Sequence, residues 1–409
     1  MLRQKSYHLR KDETGSVLLI VASAMVFLLG ISAIAIDMAN LYMARSQTQR
    51  AADAGALAGA KAFVTTGCAT GGCNPGGIQE VLGRQQAEAA GGQNYIAGQP
   101  ASIQGSDVTF SYPNSQEPQI TVIVRRTVST FFAKIFGIMS ANVGATATAE
   151  AYSPVGGGNT SVSISCLKPF LLPNCDPIHT SPANGSCATS GRGYFFDPSS
   201  GAIAHPGVYP AGIIGMPWQL HTTAAPSQWY LVGFNGAPPS SGSALRDHIV
   251  ECTPKIFTCG DTLVTANGAN VGPVTQGIET LINAAGDGLG QGQDSINTTI
   301  GPPFPFTGGS SNLNPLLRSA QFYDYSETSS VVTVPVYSGE PLSPGGSIVD
   351  VVGFLQVFVT QGDSASLKTI NVVILNATSC GGTPGGGGSN GSVVSSAGSP
   401  IPIRLIRTN

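Results

Sequence analysis

Twenty consecutive uncharged residues, 17–36 (VLLIVASAMVFLLGISAIAI), follow an N-terminal stretch that carries Arg3, Lys5, Arg10 and Lys11. No other stretch of the 409 residues is as long and as apolar. At about 1.5 Å of rise per residue, twenty helical residues extend about 30 Å, the thickness of a bilayer's hydrocarbon core. The sequence therefore predicts a single membrane span anchored from Val17 to Ile36. A short tail, 1–16, lies on one side and about 370 residues on the other.

Four Lys/Arg precede the span, and only Arg45 and Arg50 follow within fifteen residues. The positive-inside bias keeps the N-terminus cytoplasmic and exports the rest. A cleaved signal peptide is the competing reading, because Ala33-Ile34-Ala35 offers an A-x-A site after a basic start. Two features favour a retained anchor. Twenty apolar residues exceed a usual signal core, and the sequence beyond Ile36 continues as a helix. Residues 37–64 contain no proline and are rich in alanine. Leu41, Ala44, Thr48, Ala51, Gly55, Ala58 and Ala62 recur at helical spacing, which predicts one helix of about 70 Å over 16–64. Ala51, Gly55 and Gly59 have small-xxx-small spacing, a packing face that permits close approach of another element and offers a route to self-association. Asp37, at the membrane edge, reads most simply as a solvated boundary residue, with capping or pairing with a partner helix as the alternative.

Only 10% of residues are charged, against about 25% in ordinary soluble domains, and Gly (53) and Pro (28) are abundant. This composition suits an exported β-rich protein. A net charge of −3 offers no basic surface for nucleic acid. All eight cysteines lie beyond the span, and an even count in an oxidising compartment predicts disulfides. The short separations make Cys68–Cys73 and Cys252–Cys259 the expected pairs. Zinc is the alternative near His248, but C-x6-C matches no common ligand pattern.

Beyond the long helix, 66–77 reads as a loop and 78–92 as a short helix ended by glycines. Strand alternation marks 108–112, 119–128 and 143–152, and 131–137 (FFAKIFG) reads as a helical turn capped by Gly137. These elements predict an α+β fold: a long transmembrane helix continuing into a small module of helix and antiparallel sheet over 37–153.

The stretch Arg10-Lys11-Asp12-Glu13-Thr14-Gly15-Ser16, the apolar span, Ala35-Ile36-Asp37-Met38-Ala39-Asn40-Leu41-Tyr42 and the run from Arg45 to Ala60 (RSQTQRAADAGALAGA) together resemble TadG-like proteins of Flp (tight-adherence, Tad) pilus assembly. Residues 124–137 and 145–151 are similar to that family too. The resemblance covers about 8–152. It implies a minor envelope-anchored component that works with other Tad pilus-assembly proteins at a bacterial inner membrane. Prepilins of related systems are cut after a Gly with Glu five residues later; here that offset from Gly15 holds Ile20. The chain thus resembles the uncut TadG branch. Some relatives carry a von Willebrand A domain, but Asp363-Ser364-Ala365-Ser366 lacks the Asp-x-Ser-x-Ser spacing of its metal site.

Residues 154–409 read as a mainly β, Gly/Pro/Ser-rich exported domain. Gly156 to Asn159 form a linker, strands fall at 329–337, 348–360 and 370–376, one lone helix falls at 274–285, and 401–407 (IPIRLIR) read as a closing strand. Residues 381–391 are low complexity, and their G-x-S-x-G and G-x-G-x-x-G matches lack the strand–turn–helix context that gives those motifs chemistry. The five histidines show no paired spacing. Asp287 and Asp294, on a Gly-rich loop, are a weak calcium candidate, set against an acidic turn after a helix. No catalytic residues and no cofactor are expected. The function expected is a non-enzymatic, membrane-anchored pilus-assembly component with a periplasmic ectodomain. The alternative is a surface adhesin or ligand-binding protein on the same anchor.

Overall fold

One helix, α1 (Thr14–Thr65), runs 52 residues, about 78 Å, from the apolar span into the folded body. It belongs to a computed structural model that describes residues 14–114, 117–152, 162–176, 193–198, 200–220, 231–233, 241–252, 255–266, 271–284, 292–338, 348–361, 370–380, 393–395 and 401–406. Every large apolar side chain between Val17 and Ile36 is at least half exposed, so this half of α1 packs against no other part of the protein. Ser23 and Ser32 donate to the carbonyls of Leu19 and Leu28, which leaves neither hydroxyl unpaired among apolar neighbours.

Burial begins at Asp37 and follows the predicted stripe. Ala44, Thr48, Ala51, Gly55 and Ala62 are buried, and Leu41 and Ala58 half-buried. The partner is α2 (Ile78–Gly92), which crosses α1 antiparallel. Ala51 faces Gly91, Gly55 faces Ala87, and Gly59 faces Gly83, each step four residues on both helices. Because both stripes are small, backbone meets backbone. A Cβ on Gly59 would come within 2.9 Å of the Gly83 carbonyl oxygen, and one on Gly55 within 3.2 Å of the Ala87 oxygen. The face expected to serve self-association is therefore occupied inside the chain, by α2 and by the strand beneath it.

That strand belongs to an antiparallel sheet of β1 (Val108–Asn114), β2 (Glu117–Ser129) and β3 (Ser140–Ala151), close to the predicted spans. Along β2, Ile120, Val122, Val124 and Val128 point at α1, and alternate residues point away. Burying each such side chain stabilises by about 1.5–3 kcal/mol. The fourth strand comes from the far end of the chain. β8 (Ile403–Ile406) pairs antiparallel with β3, Ile403 opposite Ala151. Arg404 Nη2 lies 2.6 Å from Glu150 Oε1, with the guanidinium 4.1 Å from the Tyr152 ring centroid. The C-terminus thus crosses the boundary drawn at 153/154 and closes the N-terminal sheet.

Between these strands lies the mainly β lobe. β4 (Thr262–Ala266), β5 (Val331–Tyr337), β6 (Ile348–Gln361) and β7 (Asn371–Ser379) lie in one sheet, with β6 pairing antiparallel to the other three. All seven residues of β5 are buried, so both of its faces are covered, which its run VVTVPVY, interrupted only by Thr333, reflects. α4 (Val271–Leu281) is not alone, contrary to expectation. α3 (Gly242–Val250) packs on it with Ile249 against Gly277, where a Cβ would lie 3.0 Å from the Ile249 Cβ. Ser241 caps α3, accepting from the Ala244 N–H at 3.2 Å. Lys168 Nζ caps its other end through the carbonyls of Val250 and Glu251, and burial pulls this ammonium down to about 8.

Cys68 pairs with Cys73 as expected. The Cys252–Cys259 expectation is corrected: Cys252 bonds Cys166 and Cys259 bonds Cys380, across 86 and 121 residues. The lobe decides this. Cys252 lies two residues past α3 and meets Cys166, just after the strand at 162–164, whereas Cys259 follows the short strand Phe257–Thr258 and meets the residue just after β7. With both sulfurs bonded, neither is available to zinc. The low-complexity tract 381–391, its two glycine motifs and the linker Gly156 to Asn159 lie outside the described residues.

In the chain-entropy account, a long closed loop stabilises more than a short one, roughly 4–5 kcal/mol against about 2. The double variant Cys259→Ala/Cys380→Ala is expected to lower the urea midpoint of the detergent-solubilised chain more than Cys68→Ala/Cys73→Ala does. Gly59→Ala raises helix propensity by about 1 kcal/mol, but overpacking against a fixed backbone oxygen costs about 1–3 kcal/mol. Net destabilisation of order 1 kcal/mol is expected in the same assay, with no destabilisation for Gly30→Ala, which meets nothing within 4 Å.

Candidate membrane-proximal site

Asp37 is the first charged residue after the apolar span, and it is only 5% exposed. The turn joining β2 to β3 lies across α1 at this level and presents three consecutive backbone N–H groups. Asp37 Oδ1 accepts from Phe131 N at 2.7 Å, and Oδ2 accepts from Phe132 N at 3.0 Å and Ala133 N at 2.6 Å. These donors are among the orphan groups at the start of the 3₁₀ turn Ala133–Phe136, which a carboxylate satisfies well. Gly137 ends the turn in the left-handed region (φ 82°), as the sequence predicts, and its N–H donates to Lys134 O at 3.0 Å.

The expectation of a solvated Asp37 is therefore corrected; it is a clamp. Burial pushes its carboxyl up, but the three backbone donors and Lys134 outweigh that and hold it below the usual value of 3.8. The sign follows: the ionised clamp is present above the ordinary carboxylate value and is lost as pH falls through the lowered one. No local sequence pattern announces this contact, because 94 residues separate the partners.

Beside the clamp, Met38, Leu41, Tyr42 and Arg45 of α1 and residues 141–144 of β3 line an open groove of about 450 Å³. At its other end α1 is bound into the β lobe. Lys61 Nζ meets Asp324 Oδ2 at 2.6 Å, Asn376 Nδ2 donates to Val64 O at 3.1 Å, and Thr70 Oγ1 exchanges hydrogen bonds with the Ala377 backbone. The Cys68–Cys73 bond holds the turn that makes this contact. The packing residues Ala51, Gly55 and Gly59 lie between the two ends. Their packing partners on α2, Gly83, Ala87 and Gly91, carry the same four-residue repeat of small residues.

Of the calcium pair, Asp287 lies outside the described residues. Asp294 is fully buried and its oxygens accept from Asn283 Nδ2, Gly309 N, Asn312 Nδ2, Thr328 Oγ1 and Ser330 Oγ at 2.6–3.3 Å. That network ties the end of α4 to the entry of β5, a structural role. Among the described residues, no group of three or more His, Cys, Asp or Glu side chains is placed to hold a metal ion.

α1 is the one described helix long and apolar enough to cross a membrane, consistent with a single-pass membrane protein. Residues 15–62 match the Flp pilus-assembly TadE/G-like family. The match covers the exposed apolar half of α1, the Asp37 clamp residue and the small-residue stripe, and it supports a Flp/Tad pilus-related role. No curated protein and no solved structure matches the chain.

Asp37→Asn keeps the shape of the side chain but offers one good acceptor to three donors. Hydrogen exchange at the Phe131, Phe132 and Ala133 amides is expected to accelerate at neutral pH, with exchange in β2 unchanged. Equal protection in wild type and variant would remove the clamp from the account.

Proposed function

We propose that the chain is a non-enzymatic, membrane-anchored component of Flp/Tad pilus assembly, with its N-terminus cytoplasmic and the body beyond Asp37 in the periplasm. The observation that carries this reading is the single helix whose TadE/G-like segment, 15–62, is half apolar and exposed and half built into the folded module. Orientation rests on the four Lys/Arg before the span. The disulfides among cysteines that all lie beyond the span are in keeping with an oxidising compartment.

In this reading the protein works by position rather than by chemistry. α1 carries the module on the membrane, and its far end, bonded to Asp324 and to β7, holds the β lobe at a set distance for contact with other Tad assembly proteins. From Asp37 to Val64 that distance is about 40 Å. The inner membrane is the surface it sits on, and no cofactor takes part.

Deletion of the gene is expected to abolish surface Flp pili, and the full-length gene to restore them, by electron microscopy of shed and cell-bound filaments. Pili of normal number on the deletion strain, with only attachment to a surface lost, would overturn the assembly role in favour of an adhesin.

A further inference from the structure

The clamped turn carries six exposed apolar side chains in nine residues: Phe131 (64% exposed), Phe132, Ile135 (79%), Phe136 (75%), Ile138 and Met139. A sequence this apolar would ordinarily be turned inward, and elsewhere the β2–β3 hairpin follows that rule. Ile120, Val122 and Val124 are buried, while Arg125, Thr127 and Asn142 face out. Only the tip is inverted.

Its position explains the inversion. β2 runs antiparallel to α1: Ile120 packs at the level of Gly59 and Val122 at that of Gly55, so the strand descends toward the span. From Ile120 to Ser129 it covers about 30 Å. From Gly59 back to Asp37, α1 covers about 33 Å. The tip therefore arrives at Asp37, one residue beyond the apolar span, and three hydrogen bonds fix it there. Any bilayer that accommodates residues 17–36 has its surface at this turn. The neighbouring groups match such a surface. Lys134, the one charge in the turn, is long enough to reach headgroup phosphates, and Met38 and Tyr42 are exposed on the adjoining turns of α1.

We propose that residues 131–139 form a second, interfacial membrane contact, with Phe131, Ile135, Phe136, Ile138 and Met139 seated in the headgroup–acyl boundary of the bilayer that α1 crosses. The inference rests on the reading of 17–36 as a span. Two attachments, one through the bilayer and one on its surface, fix the tilt and rotation of the module as a single helix does not. Asp37 is the joint between them. The depth expected is that of interfacial segments generally, about 5–10 Å into the boundary.

The test uses the full-length chain in vesicles of zwitterionic and anionic phospholipid, with bromine placed at different depths along the acyl chain. Phe136→Trp and Phe27→Trp are compared with the parent, whose own tryptophan signal is subtracted. For Phe136→Trp, a blue-shifted emission and loss of intensity greatest with bromines near the glycerol end are expected. For Phe27→Trp, the loss should be greatest with bromines toward the bilayer centre. Quenching at position 27 with none at 136 overturns the interfacial contact and leaves the span intact, and a blue-shifted but unquenched signal at 136 overturns it by placing that side chain against protein rather than lipid. Absence of quenching at position 27 overturns the span and the proposal with it. Adding Asp37→Asn to Phe136→Trp supplies an independent arm. Once the turn is freed from its clamp, the fluorescence from position 136 should lose its sharp depth preference, and an unaltered depth profile would show that the clamp does not position the turn.

Discussion

A backbone in lipid must satisfy its own hydrogen bonds, and residues 17–36 meet that requirement in a helix long and apolar enough to cross a membrane. The consequence that organises the protein is that the helix does not stop at the bilayer surface. α1 continues without proline for nearly thirty residues beyond Ile36, so the direction set by the apolar run becomes the axis of the folded body. The sheet, the second helix and the β lobe are all placed by reference to this one rod.

Close packing on such a rod needs small side chains. The stripe Ala51, Gly55, Gly59 against Gly91, Ala87, Gly83 brings the two helix backbones into contact, and the space left over is filled by Ile103, Ile120 and Val122. Glycine is a poor helix former, costing about 1 kcal/mol at each interior position. The packing offsets that cost only because α2 and β2 are both present. The same residues explain why the stripe is spent within the chain.

At each end of the buried half of α1, polar groups set the register. Asp37 collects three amides from the β2–β3 turn, and Lys61 with the Val64 carbonyl engages the β lobe. The half-exposed Lys61–Asp324 pair contributes little to stability by itself, about 0.2–1 kcal/mol. The buried Asn376 and Thr70 contacts matter more, because they are made away from water, where hydrogen bonds are costly to lose. A structural role for the buried polar groups extends into the lobe, where Asp294 joins α4 to β5 in the same manner.

Local periodicity carried much of the architecture. A twenty-residue apolar run, a repeat of small residues every three or four positions, and alternation along 108–112, 119–128 and 143–152 are patterns one segment writes for itself, and α1, α2 and β1–β3 follow them. So is Cys68–Cys73, whose partners sit one turn apart. α3 escapes such a reading because its nine residues hold only two buried positions, Leu245 and Ile249, too few for a period to stand out. What only the tertiary structure decided are pairings between distant segments: Asp37 with the turn 94 residues on, Cys166 with Cys252, Cys259 with Cys380, and Arg404 with Glu150, 254 residues apart. Each of these residues has several acceptable partners as far as its own chemistry is concerned. The choice among them is made by which surfaces the core brings together, and that is a property of the packed chain rather than of any stretch of it.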